Sequence, residues 1–97
     1  MEINLVEMFL PEMNDEFVAA IPAQRAFIDK CLSRGVVRSY SLAADRSKVW
    51  IVFNTDTEVE MRQILRRFPI INWVTYRIYP LMFHHTMDVS VPALSLN

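Results

Sequence analysis

Residues 35–53 read Gly-Val-Val-Arg-Ser-Tyr-Ser-Leu-Ala-Ala-Asp-Arg-Ser-Lys-Val-Trp-Ile-Val-Phe, two β-rich runs joined by a polar turn. β-branched and aromatic residues suit a pleated strand, and Asp45, Arg46 and Ser47 supply the turn. The stretch is therefore expected to be a hairpin with strands near 36–43 and 48–54. By the two-residue strand period Val36, Arg38, Tyr40 and Leu42 share one face, while Val49, Ile51 and Phe53 oppose Trp50, Val52 and Asn54. Helical patterns flank the hairpin on both sides, and each helix needs a strand beyond it. The order becomes strand, helix, strand, strand, helix, strand.

Working back towards the N-terminus, residues 2–10 set Ile3, Leu5, Glu7 and Phe9 on one side of a strand and Asn4, Val6, Met8 and Leu10 on the other. Both sides are mostly apolar, the mark of a central strand covered twice, and Pro11 ends it. Asn14 or Asp15 can cap the helix that follows, because a short side-chain oxygen satisfies N–H groups of the first turn. Phe17, Ile21, Ile28, Cys31 and Leu32 form its expected buried stripe. Pro22 removes a donor and predicts a kink, or a helix that begins there. Gly35 supplies the left-handed stop.

On the other side of the hairpin, both Thr55 to Glu58 and Thr57 to Glu60 fit a capping box. The helix they open buries Met61, Ile64, Leu65 and Phe68, keeps Arg62, Arg66 and Arg67 outside, and ends at Pro69. Residues 72–83 read as the fourth strand, with Trp73, Thr75, Arg77, Tyr79 and Leu81 on one side and Val74, Tyr76 and Ile78 on the other. Pro80 places it at an edge or at a bulge. Residues 1–83 are thus expected to form one domain, and the apolar tail, 84–97, to pack on that domain or on a neighbouring subunit.

Composition narrows the function classes. The chain has 97 residues, a formal charge of −1 and 53% hydrophobic residues, so it is short and apolar, and self-association would supply burial that so small a domain lacks. A near-neutral chain gives no electrostatic reason to expect nucleic acid or an anionic membrane. One cysteine, Cys31, allows no internal disulfide, no secretion signal is evident, and the cytoplasm is the expected location. No apolar run approaches the ~20 residues needed to cross a bilayer. A single glycine argues against a glycine-rich phosphate loop, and no nucleophile elbow is present. His84 and His85 with Cys31 make no zinc spacing, so no metal is expected.

Two βαβ-like halves around a central hairpin give a ferredoxin-like α+β sandwich, βαββαβ, whose four-stranded antiparallel sheet carries two helices on one face. Apolar residues on both sides of the first, third and fourth strands suggest that two such sheets pack face to face, as a dimeric α+β barrel. The run from Gly35 to Phe53 with its Arg38, the later Leu65-x-x-Phe68-Pro69 and the terminal Leu81-x-x-His84 resemble the muconolactone δ-isomerases in order and spacing, without a gap from Gly35 to His84. The resemblance reaches the first strand, ending in Leu10-Pro11, and covers most of the chain. The chain departs from the family pattern at Ile3 and Leu5, where the family carries basic or polar side chains, and in its apolar C-terminal run.

The resemblance implies a cofactor-free, homo-oligomeric enzyme of aromatic compound breakdown, which moves a double bond in an unsaturated, carboxylated lactone. Such a reaction needs a base, a group to stabilise the enolate and an anchor for the carboxylate. Glu7 is the first candidate base, or else the partner of Arg77 or Arg38 in a structural ion pair across the sheet. Arg38 matches a family arginine and can bind a carboxylate through its planar fork, or serve as an interface ion. Tyr40 and Trp50 can line a ring-accepting pocket or simply fill core, and Arg77 is a further candidate for substrate binding. His84 matches the family's terminal histidine and can shuttle a proton, or sit solvated at a strand end. The alternative function is a non-catalytic, oligomeric small-ligand-binding barrel.

Overall fold

Strand β1 (Glu2–Phe9) has Asn4, Val6 and Met8 buried and Ile3, Leu5, Glu7 and Phe9 half-buried, so the alternation in the sequence becomes two different faces. The structure, a computed structural model, describes residues 1–85. After β1 come α1 (Asp15–Ser33), β2 (Val37–Leu42), β3 (Lys48–Thr55), α2 (Glu58–Arg66), a 3-10 turn at Ile71–Trp73, and β4 (Thr75–Leu81). The four strands form one antiparallel sheet in the order β2-β3-β1-β4. This is the ferredoxin-like α+β arrangement expected from the element order. Of the tail, 84–97, whose packing was expected, residues 86–97 lie outside the described residues. Among the described residues no helix is long and apolar enough to cross a membrane.

The core lies between the helices and one face of the sheet. Val6, Met8, Val37, Val49, Ile51 and Phe53 meet Phe17, Ile28 and Cys31 of α1 and Met61 and Leu65 of α2, with Phe68 and Ile70 closing one end. Phe68 anchors an aromatic cluster, its ring centroid 5.6 Å from Phe27 and 6.1 Å from Phe53.

Local chemistry explains the element ends. Asn14 caps α1, its Oδ1 accepting from the Phe17 N–H at 2.8 Å, and Thr57 caps α2, its Oγ1 accepting from the Glu60 N–H at 3.1 Å. The Glu60 carboxylate accepts from the Asp56 N–H, one residue before the cap, so Thr57 and Glu60 hold the start of α2 in a variant of the second expected capping box. At the end of α1, Gly35 adopts φ +78°. The Gly35 N–H donates to the Leu32 carbonyl and the Val36 N–H to that of Cys31, a Schellman closure.

Four expectations need correction. Helix α1 runs unbroken through Pro22 rather than starting there, with Pro22 on its exposed side. Within the stripe of α1 it is Gln24, not Leu32, that is buried; Leu32 is 40% exposed, one residue round the helix from the buried Cys31. Trp73 belongs to the 3-10 turn rather than to the strand, and its ring folds back edge-on against Phe17, 6.3 Å between centroids. Finally, the β2–β3 register shifts between Val37 and Ser39, so a bulge at Arg38 reverses the facing of the next residues of β2. Tyr40 and Arg38 therefore do not share a face. Pro80 sits on β4, an edge strand, where its missing N–H costs no ladder bond on the open side.

Two substitutions test this packing. A methyl group built on Gly35 meets no atom within 4 Å, so Gly35→Ala should lose only the cost of the left-handed backbone, about 1–2 kcal/mol in urea unfolding, with Gly35→Asn losing less. Gln24 is 3% exposed and neither of its amide atoms makes a hydrogen bond of good geometry, although the Tyr40 hydroxyl is close enough to interact with it. Gln24→Met, of similar shape, should leave stability unchanged or raise it by up to about 1 kcal/mol, since it removes two unsatisfied buried atoms.

Candidate functional site on the open sheet face

The sheet face turned away from the helices carries Ile3, Leu5, Glu7 and Phe9 of β1, Lys48, Trp50, Val52 and Asn54 of β3, and Thr75, Arg77, Tyr79 and Leu81 of β4. Apart from Asn54 and Thr75, its polar groups gather around one carboxylate. Glu7 stands in register between Trp50 and Arg77 on the two neighbouring strands. Trp50 Nε1–H donates to Glu7 Oε2 at 3.4 Å and the Tyr79 hydroxyl donates to Glu7 Oε1 at 3.3 Å. Lys48 Nζ lies 3.8 Å from Glu7 Oε2, and the Glu7 side chain is 20% exposed. Both hydrogen bonds are long for their type, so the carboxylate is oriented without being saturated.

Neither arginine of the expected cross-strand pair meets Glu7. Arg77 is directly opposite, and its long side chain overshoots the roughly 5 Å cross-strand spacing; its guanidinium carbon lies 5.7 Å from the centroid of the Phe9 ring. Lys48 starts from the diagonal position, roughly 7–8 Å away, which suits its reach. Lys48 Nζ also lies 5.5 Å from the centroid of Phe9.

The other candidates are dispersed. Arg38 is exposed at the bulge on the edge strand β2, two strands from β1 and three residues from the Ser41–Trp50 pair, about 10 Å across and about 10 Å along from Glu7. Tyr40 pairs with Ile51 on the helix side, near Gln24. Burial pushes its hydroxyl up, with Gln24 and Arg25 opposing. His84 is half-buried beyond the end of β4, where Leu81 pairs with Ile3, about 13 Å along the strand from the Arg77–Glu7 pair. Of the six residues singled out in the sequence, Glu7, Trp50 and Arg77 come together. Lys48 and Tyr79 complete the group, and their signal lies in the diagonal neighbours of Glu7 once the register is known.

An open cleft of about 400 Å³ adjoins this group, lined by Ala43, Ala44, Asp45, Ser47, Lys48 and Trp50 at the hairpin turn. Asp45 is fully exposed, yet the Ser47 hydroxyl and N–H, at 2.6 and 3.0 Å, hold its carboxyl below the usual range. A second cleft of about 260 Å³ lies at the opposite end of β1, between Glu2, Asn4, Glu58 and Met82. A carboxylate set among an indole, a phenol and two cations on an apolar sheet can bind an anionic or carbonyl-bearing ring and exchange a proton with it.

Known proteins supply the family. No curated protein sequence matches the chain. Among solved structures, that of Rv0793 from Mycobacterium tuberculosis is similar, with 14% identity over 94% of this chain and 100% of that one, at a TM-score of 0.42. The profile of the family described as Muconolactone delta-isomerase matches residues 1–93. Because that match takes in all six elements of the fold and the whole open face, the chain belongs to the muconolactone delta-isomerase family.

Proposed function

We propose that the chain catalyses a cofactor-free proton-transfer isomerisation of an unsaturated lactone or related carboxylated ring compound, with Glu7 as the base. The observation that carries this reading is the Glu7 carboxylate, held between Trp50 Nε1–H at 3.4 Å and the Tyr79 hydroxyl at 3.3 Å on a face that also carries Ile3, Leu5 and Phe9. Family membership supplies the reaction class. Glu7 takes a proton from a ring carbon, that C–H bond breaks, and its electron pair passes into the conjugated carbonyl as an enolate. The acid form of Glu7 returns the proton at the far carbon of the system, and the double bond has moved. Proton and electron pair both return to the substrate, so the cycle balances without a further reactant.

The donors around Glu7 suit both halves of this cycle. While Glu7 is ionised they orient it. Once it is protonated, the negative charge lies on the substrate oxygen, and the Trp50 N–H and Tyr79 O–H can turn to that oxygen instead. Arg38, Tyr40 and His84 stand outside this group and are left without a role in the proton transfer.

The site on one protomer is open, and we assign its cover to a second copy of the chain. Ile3, Leu5, Phe9, Trp50 and Leu81 are only half-buried on that face, more apolar surface than a lone sheet usually shows to water. Two such sheets packed face to face would exclude water from Glu7 and form the dimeric barrel.

Glu7→Gln should lower kcat for the lactone double-bond shift by about 10²–10⁴-fold, followed by ultraviolet absorbance, with circular dichroism unchanged. Turnover equal to that of the native chain would leave the open face as a ligand-binding surface and place the base elsewhere. Light scattering at micromolar concentration should find a dimer or a larger assembly. Leu5→Glu, a charge at the centre of the apolar face, should shift it to monomer and abolish activity with it.

A further inference from the structure

We propose that Lys48 is a covalent site for small apolar ketones and aldehydes. Its amine forms an imine at their carbonyl carbon while Glu7 moves the protons, which gives the open face a second activity, exchange of the hydrogens beside a carbonyl group. The inference shares Glu7 as base with the proposed isomerisation and takes nothing else from it. Lys48 lines the open cleft of about 400 Å³ at the hairpin turn, where Ala43, Ala44 and Trp50 offer a ketone an apolar seat. Its Nζ stands 3.8 Å from Glu7 Oε2, past hydrogen-bond length, so the group is drawn to the carboxylate without being tied to it. The Arg62–Glu58 pair, at 2.9 Å, shows what a closed ion pair looks like in the same chain. Nζ also lies 5.5 Å from the Phe9 ring centroid, a contact that attracts a cation and leaves its N–H groups free.

Nucleophile and base are thus neighbours, as amine catalysis requires. The Lys48 ammonium passes one proton to Glu7, and the free amine adds to the carbonyl carbon. The C–N bond forms, the carbonyl π pair moves to oxygen, and that oxygen takes a proton from the nitrogen. Glu7 then returns its proton to the new hydroxyl, which leaves as water while the nitrogen lone pair closes the C=N bond. The iminium ion carries the same charge as the ammonium it replaces. The surrounding charges therefore stay matched: the carboxylates of Glu7 and of Asp45, which also feels Lys48, against the Lys48 nitrogen and the Arg77 guanidinium on the other flank of Phe9. The iminium draws electrons from the adjoining C–H bond, Glu7 takes that proton, and the bonding pair forms an enamine. Reprotonation at carbon and addition of water release the carbonyl compound and restore Lys48.

The sequence supplies its own control, since its two lysines are Lys48 and Lys30, the latter exposed in the last turn of α1. The full chain is incubated with cyclohexanone and sodium cyanoborohydride, which fixes the imine as a stable amine, and the labelled lysine is located by peptide mass spectrometry. Lys48 should be labelled at least about tenfold faster than Lys30, and Glu7→Gln should bring it down to the rate of Lys30. In D₂O without the reductant, proton nuclear magnetic resonance should show deuterium entering cyclohexanone beside the carbonyl, and the charge-preserving Lys48→Arg should end that exchange. Equal labelling of the two lysines, or exchange that persists in Lys48→Arg, would overturn the proposal. So would a Glu7→Gln chain that loses lactone turnover and still labels Lys48 at the native rate. If Glu7→Gln keeps full lactone turnover but slows the labelling of Lys48, the isomerase reading fails and the covalent site stands.

Discussion

The structure depends on one strand that is hydrogen-bonded on both edges and apolar on both faces. β1 pairs with β3 along its whole length and with β4 from Ile3 to Phe9, so its side chains cannot change face without breaking two ladders. A slip of one residue would put Glu7 under the helices and Val6 and Met8 into water. With Asn4, Val6 and Met8 sealed beneath α1 and α2, the register is set by burial, and Glu7 is carried to the open face as a consequence. The position of the candidate base is therefore determined by the core.

That coupling shapes the site. The neighbours of Glu7 come from strands adjacent to β1 and are as rigid as the sheet: Trp50 and Lys48 from β3, Tyr79 and Arg77 from β4. A site on sheet residues needs little reorganisation to hold a carboxylate in one orientation. Its polar groups are few, and each already touches another: Trp50 and Tyr79 donate to Glu7, Lys48 reaches both Glu7 and Phe9, and Arg77 lies over Phe9. A ligand would exchange partners within this group, and a second sheet laid over the face would strengthen every one of these interactions by removing water.

Much of the fold was legible because it follows from short-range rules. The double-sided alternation of β1, the caps at Asn14 and Thr57, the Gly35 stop and the edge position of β4 at Pro80 each rest on a few neighbouring residues. The features that escaped depend on contacts between elements. The bulge at Arg38 leaves no local mark, yet it moves Tyr40 to the helix side. The turn that takes Trp73 out of β4 is held by its packing against Phe17. Gln24 is buried and Leu32 is not because the covered stripe of α1 runs through Phe17, Gln24, Ile28 and Cys31, which leaves Leu32 a quarter-turn or more off it. In the site, the facing of Glu7 and its place across from Arg77 could be read from alternation. Lys48 and Tyr79 could not, since a diagonal contact needs the register of two different strands.

The central claim is that the open sheet face, through Glu7, exchanges a proton with ring carbon. Its most direct measurement is proton nuclear magnetic resonance of muconolactone incubated with the protein in D₂O. The account predicts that deuterium enters the lactone ring at the two ends of the shifting double-bond system, at a rate that falls with the Glu7→Gln substitution. A lactone that binds the protein and gains no deuterium, or gains it equally fast with Glu7→Gln, would contradict it.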